Sequence, residues 1–110
     1  MGCVYLLGDW EKENYFKIGV TRGKVENRIK KLQTGNSGEI YLVSSYETNH
    51  PFILESLLHK KYANKKILNE WYELTPEEVL GFNKTCDDII NMLKSVKDNY
   101  FLSKKLNGII

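Results

Sequence analysis

The 110-residue sequence has no long apolar run and no basic-flanked apolar stretch near its start. The first absence excludes a membrane-crossing helix. The second sets the expectation of no standard secretory signal, hence of a cytoplasmic protein, or a nuclear or viral-factory one if the host cell is eukaryotic. Cysteine is scarce. Cys3 and Cys86 are the two, far apart and without the spacing of a metal knuckle, which points to buried free thiols in a reducing compartment. A dominant charge is lacking as well, since the net charge is only +2. The field of the whole molecule therefore cannot draw it to nucleic acid, and any attraction must come from local clustering. No repeat, low-complexity tract, linker, helix-turn-helix or zinc finger appears, so nothing announces a base-reading element. What is present, 42% apolar and 27% charged residues, fits one ordinary domain, residues 1–110, with one modest core.

Along the chain, "GCVYLLG" (Gly2 to Gly8) and "YFKIGV" (Tyr15 to Val20) read as strands joined by a polar connection, an antiparallel hairpin with a loose turn. From Val25 to about Gln33 the period becomes helical. Val25, Ile29 and Leu32 share one face, basic residues cover the others, and Gly35 closes the end. "EIYLVSSYE" is a third strand. "HPFILESLLHKKYANK" is a helix started at Pro51, with Phe52, Leu54, Leu58 and Tyr62 as candidate buried positions. "EWYEL" reads as a short edge strand that packs Trp71 and Leu74 inward and leaves Glu70 structural. "TPEE" then carries a capping box and opens a helix with a weak spot at Gly81. The tail "YFLSKKLNGII" is a further helix or a frayed end. The order strand, strand, helix, strand, helix, short strand, helix defines a small α+β domain, an antiparallel sheet with helices packed on it.

Five polar residues sit where neither a core nor a plain surface needs them. Tyr5 lies inside the first strand and Lys17 inside the second. Arg28 is on the basic helix. Glu55 interrupts an apolar helical stretch, and His59 follows one turn later on the same helix face. A carboxylate among Phe52, Ile53, Leu54, Leu57 and Leu58 is costly if buried without a partner. Phosphodiester hydrolysis needs such a set. A hard cation takes carboxylate oxygen, cationic donors stabilise the transition state, and a base or orienting group serves the attacking water. A tyrosine in that role needs a neighbouring cation, for which Lys17 is the candidate.

At this point the motifs resemble a known family. "CVY" (Cys3 to Tyr5) and "KIG" (Lys17 to Gly19) look like the paired signature of the GIY-YIG nuclease superfamily. "RGKVENRIKKLQTGN" resembles its arginine-bearing helix and "LESLLHKKY" its glutamate helix. "NEWYEL" is similar to the "GEWF" segment of a small stand-alone subgroup. The resemblance spans about residues 2–74, with a helical part at about 75–110. It implies a metal-dependent DNA endonuclease with a central sheet of about three strands and one Mg²⁺ or Mn²⁺. Tyr5 would be the base or water-orienting group, Arg28 the phosphate contact, Glu55 the metal ligand, and Lys17 and His59 further catalytic candidates. Cys3, Lys17, Leu32 and Asn69 depart from the common pattern.

Each residue also has a plainer reading. Tyr5 is otherwise a half-buried strand tyrosine, Lys17 a solvent-facing strand residue and His59 a surface histidine. Arg22, in the loop after the second strand, competes with Arg28, and Glu70 is an alternative carboxylate. Arg22, Lys24, Lys30, Lys31 and Lys60 are the candidate nucleic-acid contacts, because the lysines concentrate on the helices that carry Arg28 and Glu55. The expected partner is DNA, bound by a monomer or a homodimer, with no membrane role. A non-catalytic nucleic-acid-binding module and a protein-interaction domain stay open beside the enzyme.

Overall fold

The computed structural model describes residues 1–98. A continuous apolar run buried on both faces, β1 (Gly2–Asp9), and a run that turns from exposed to buried, β2 (Lys12–Thr21), form the central hairpin. The connection is tight rather than loose. Asp9 pairs with Lys12, so "KEN" belongs to the strand and only Trp10 and Glu11 turn. A register shift after Gly8 and a positive φ at Asn14 absorb the irregularity. Helix α1 (Val25–Thr34) follows, then β3 (Ile40–Thr48) on the far side of β1 and α2 (Pro51–Lys61). A 3₁₀ turn at Ala63–Lys65 leads into a small hairpin, β4 (Lys66–Leu68) and β5 (Trp71–Glu73).

Among the described residues the sheet is antiparallel with five strands, in the order β3-β1-β2-β5-β4. This corrects the expectation of about three. It also moves "EWYEL" from an edge to an inner position, because the unread strand Lys66–Leu68 covers its outer side. All three residues of β4 are exposed, so no apolar alternation announced it. The remaining chain forms α3 (Pro76–Leu80) and α4 (Phe82–Asp98). The expected single helix thus breaks at Gly81. The Thr75–Glu78 capping box is present. The reading of residues 100–110 falls outside the described residues.

The strand period of two sends alternate residues to opposite faces. Val4, Leu6 and Ile18 face the main core with Leu54, Leu58, Tyr62, Tyr72, Leu74, Phe82 and Cys86. Tyr5, Leu7 and Ile40 face the other way, against Val25, Ile29 and Leu32 of α1, as the helical period required. Two core expectations change. Phe52 is 50% exposed, since Pro51, Leu54 and Leu58 form the buried stripe of α2 and Phe52 lies off it. On β5 it is Tyr72, not Trp71, that enters the main core; Trp71 packs on the α1 side. Cys86 is buried and Cys3 half-buried, both as free thiols.

Asp9 ties α1 to the sheet. Its carboxylate, 4% exposed, accepts from the Glu11 backbone at 2.9 Å and from Asn36 Nδ2 at 3.0 Å. Gln33 Nε2 and Asn36 Nδ2 both donate to the Gly38 carbonyl, and Gln33 Oε1 accepts from Ile40 N at 2.8 Å. A Cβ on Gly38 would fall 2.2 Å from Asp9 Oδ1, so only glycine fits there.

Candidate active site at the open edge of the central hairpin

Strand β5 pairs with β2 only as far as Lys17 opposite Trp71. Beyond it, the Ile18 N–H donates to the Glu70 carbonyl at 3.2 Å. The Ile18 carbonyl then lies 3.1 Å from His59 Nε2. His59 of α2 thus takes the ladder place that another β5 residue would fill. Because a carbonyl oxygen only accepts, Nε2 carries the proton and the lone pair of the neutral ring sits on Nδ1. Past this point the edge of β2 is free of a neighbouring strand. Groups from the α1 face and from the α2 face can meet around it.

From the α1 face come Tyr5, Lys17 and Arg28. Tyr5 pairs with Gly19 and Leu7 with Lys17, so Tyr5 and Lys17 share a face, as the hairpin required. The Tyr5 ring lies directly across Gly19. A Cβ there would come within 2.3 Å of the phenol oxygen. Glycine is needed here for room. Arg28 Nε donates to Tyr5 Oη at 3.3 Å from an otherwise exposed side chain. Burial pushes the phenol above its ordinary pKa. The bond to Arg28 and its charge pull it down without offsetting burial, and the Glu70 and Glu55 carboxylates push it further up. The same bond holds the Arg28 guanidinium all the more firmly protonated.

The cation beside the phenol is therefore Arg28, which corrects the expectation for Lys17. Lys17 Nζ instead pairs with Glu70 Oε2 at 3.3 Å and lies 5.8 Å from the Trp71 ring centre.

From the α2 face come Glu55 and His59, with Glu70 beside them. One ligand atom from each lies within 4.8 Å of the others, and all three are half-buried. Burial raises the Glu55 carboxyl above the ordinary range; His59 lowers it, Glu70 raises it, and Arg28 and Lys17 lower it. Two carboxylates at this separation, in a partly desolvated place, favour a bound cation, and their oxygens with an imidazole form a fitting donor set. Glu70 was read as structural. It sits in the β4–β5 turn, which Asn69 makes possible by adopting φ 55°. The signal lay in the dipeptide Asn69–Glu70 between two short extended runs.

The basic candidates divide. Lys60, with Lys66, lines an open groove of about 380 Å³ that also contains Glu55, His59 and Tyr72. Lys31 and Lys17 line a second hollow beside Asn36, Asn69 and Trp71. Lys30 is exposed on α1. Arg22 and Lys24 instead line a separate groove near Cys3, Glu26 and Glu47. The Arg22 guanidinium stands 5.0 Å from the Phe52 ring centre. Arg28, not Arg22, reaches the phenol.

The fold and site define a small α+β domain in which a phenol, two cations, two carboxylates and an imidazole converge at a sheet edge. The family model for the T5orf172 domain matches residues 2–93, and the chain belongs to that family. No curated protein and no solved structure matches it. This corrects the resemblance drawn from short strings: the matching family is T5orf172, distinct from GIY-YIG. Strings such as "CVY" and "KIG" are built mostly of ordinary strand residues, so they discriminate weakly between families that share a hairpin. Roles for Tyr5, Lys17, Arg28, Glu55 and His59 must rest on geometry instead. No helix among the described residues is long and apolar enough to cross a membrane.

Proposed function

We propose that this chain is a divalent-metal-dependent endonuclease that hydrolyses DNA phosphodiester bonds with one metal ion at the open edge of β2. The observation that carries this reading is the placement of the Tyr5–Arg28 pair and the Glu55–His59–Glu70 trio on either side of one strand edge. Membership of a family of nuclease-like or DNA-binding character agrees with it.

Glu55 would hold Mg²⁺ or Mn²⁺, which when bound supplies positive charge that polarises the phosphate and eases departure of the leaving oxygen. Arg28, exposed except for its contact with Tyr5, offers its remaining N–H groups to a non-bridging phosphate oxygen. Tyr5 enters the reaction protonated, because burial raises its phenol. Wholly buried, it accepts from Arg28 Nε and so aims the guanidinium at the phosphate, and it is not a resident phenolate. Lys17 balances the charge of Glu70. Lys60 and Lys66 flank the groove and would hold the flanking phosphates.

The test is nicking of supercoiled plasmid by the purified chain with Mg²⁺ or Mn²⁺. Cleavage should vanish with chelator and fall about 100-fold or more in Glu55→Gln and Arg28→Ala. Tight binding without nicking would instead support a nucleic-acid-binding module that lacks turnover. The protonated phenol and the Lys17–Glu70 pair favour that second reading. Weak association with DNA, indifferent to salt, would point to a protein-interaction domain.

A further inference from the structure

We propose that Glu70 and His59 bind the metal together with Glu55, forming a two-carboxylate, one-imidazole centre that prefers Mn²⁺ and other first-row transition ions to Mg²⁺. This rests on the reading that Glu55 holds a metal, and adds the remaining ligands and the ion's chemical class.

Three observations carry it. The first is distance. One ligand atom from each of the three residues lies within 4.8 Å of the others, so a single ion can touch all three after small side-chain adjustments. The second is the orientation of the imidazole. Its Nε2–H is spent on the Ile18 carbonyl at 3.1 Å, and that strand is fixed in the sheet by β1 on its other side. A ring whose one nitrogen donates to a backbone carbonyl keeps the other lone pair free for a metal, the arrangement that supports metal-ligating histidines. The third is the hold on Glu70. Its position is set by the Asn69–Glu70 turn, and Oε2 is paired with Lys17. Lys17 is itself only 14% exposed and lies beside the Trp71 ring. One oxygen of Glu70 is thus paired with Lys17, which restrains its rotamers, and the carboxylate keeps a second oxygen to offer an ion.

The donor set decides the ion. Mg²⁺ wants oxygen ligands in near-ideal octahedral geometry and keeps most of its water. An imidazole nitrogen favours ions further along the first transition row, and affinity at such mixed sites rises from Mn²⁺ toward Co²⁺ and Zn²⁺. A site with a nitrogen and two converging carboxylates should therefore discriminate, where Glu55 alone would not.

Calorimetry with the full chain, with Mn²⁺ and Mg²⁺ titrated separately, tests this. It is paired with pulsed electron paramagnetic resonance of the Mn²⁺-loaded protein. Mn²⁺ should bind at least about tenfold more tightly than Mg²⁺. The resonance signal should carry a ¹⁴N coupling that disappears in His59→Gln, whose amide can still donate to Ile18. Glu70→Gln and His59→Gln should each weaken Mn²⁺ binding about tenfold or more. Equal affinities without a ¹⁴N coupling overturn the inference, as does a Glu70→Gln chain that binds Mn²⁺ like wild type. Glu55→Gln separates the two levels. If it abolishes binding while the other two variants do not, only the three-ligand centre fails. If it leaves binding unchanged, the assignment of Glu55 itself fails.

Discussion

Glu55 is a residue whose position costs the fold something. Its carboxyl is raised by burial and, more weakly, by Glu70, while His59, Arg28 and Lys17 only partly compensate. A folded-state pKa above the unfolded value means that protonation favours the native protein over the unfolded chain. That contribution is present below the ordinary carboxylate range and is lost as pH rises through the folded value. At neutral pH, charged Glu55 therefore destabilises the metal-free chain. Glu55→Gln should melt a few degrees above wild type at pH 7 in chelator, and the gap should close as pH falls toward about 4. Calorimetric melting at both pH values checks this; an equal or lower melting temperature for the variant at pH 7 would count against it. Substitution that stabilises while abolishing cleavage is the pattern expected of a site shaped for a cation. This residue was legible in the sequence because a carboxylate in an apolar helical run is conspicuous. Tyr5 was legible for another reason: strand alternation fixes that it shares a face with Lys17. The need for glycine at position 19 was not, since only the structure lays the Tyr5 ring across it. The partner of Tyr5 was not. Whether Lys17 or Arg28 reaches the phenol depends on side-chain paths over the sheet, and periodicity does not record them.

Among the elements, α1 decides whether Arg28 arrives at all. No α1 residue is fully buried, so the apolar stripe Val25, Ile29 and Leu32 holds it only from one side. Its C-terminal end is instead fastened by polar bonds to the β1–β2 turn and to the start of β3. The most exposed to loss is the Asn36 bond to Asp9, because the carboxylate is almost wholly buried. Asn36→Ala should cost about 1–3 kcal/mol, the penalty of leaving a buried acceptor short of its donor. Denaturant unfolding measures it, and a loss below about 0.5 kcal/mol would show that water replaces the amide at once. The helices were readable from their period and caps, and the capping box at Thr75 from four letters. The β4–β5 hairpin was only half readable. Its outer strand has no buried residue, so its pairing comes from backbone bonds to β5 and leaves no apolar pattern. Glu70 was misjudged for the same reason, since a residue in an unrecognised turn cannot be assigned a direction.

At the scale of the whole molecule, a net charge of +2 leaves little long-range attraction, so DNA affinity must come from where the lysines stand. Several are already engaged: Lys65 bonds Glu78 at 2.7 Å, Lys84 bonds Asp88 at 3.2 Å and Lys17 bonds Glu70. Lys60 is exposed and borders the groove of Glu55 and His59. If the phosphate backbone runs along that groove, Lys60 neutralises one phosphate and releases about one counterion on binding. Lys60→Ala should then weaken binding of a short duplex several-fold at low salt. It should also reduce the slope of log affinity against log salt by about one. Lys84→Ala, on α4 and within an ion pair, serves as the comparison, and should leave both affinity and slope near wild type. Fluorescence anisotropy across a series of salt concentrations reads both quantities at once. Equal effects from the two lysines would mean that charge attracts DNA without a track, and the groove beside Glu55 would lose its claim to be where the scissile strand lies.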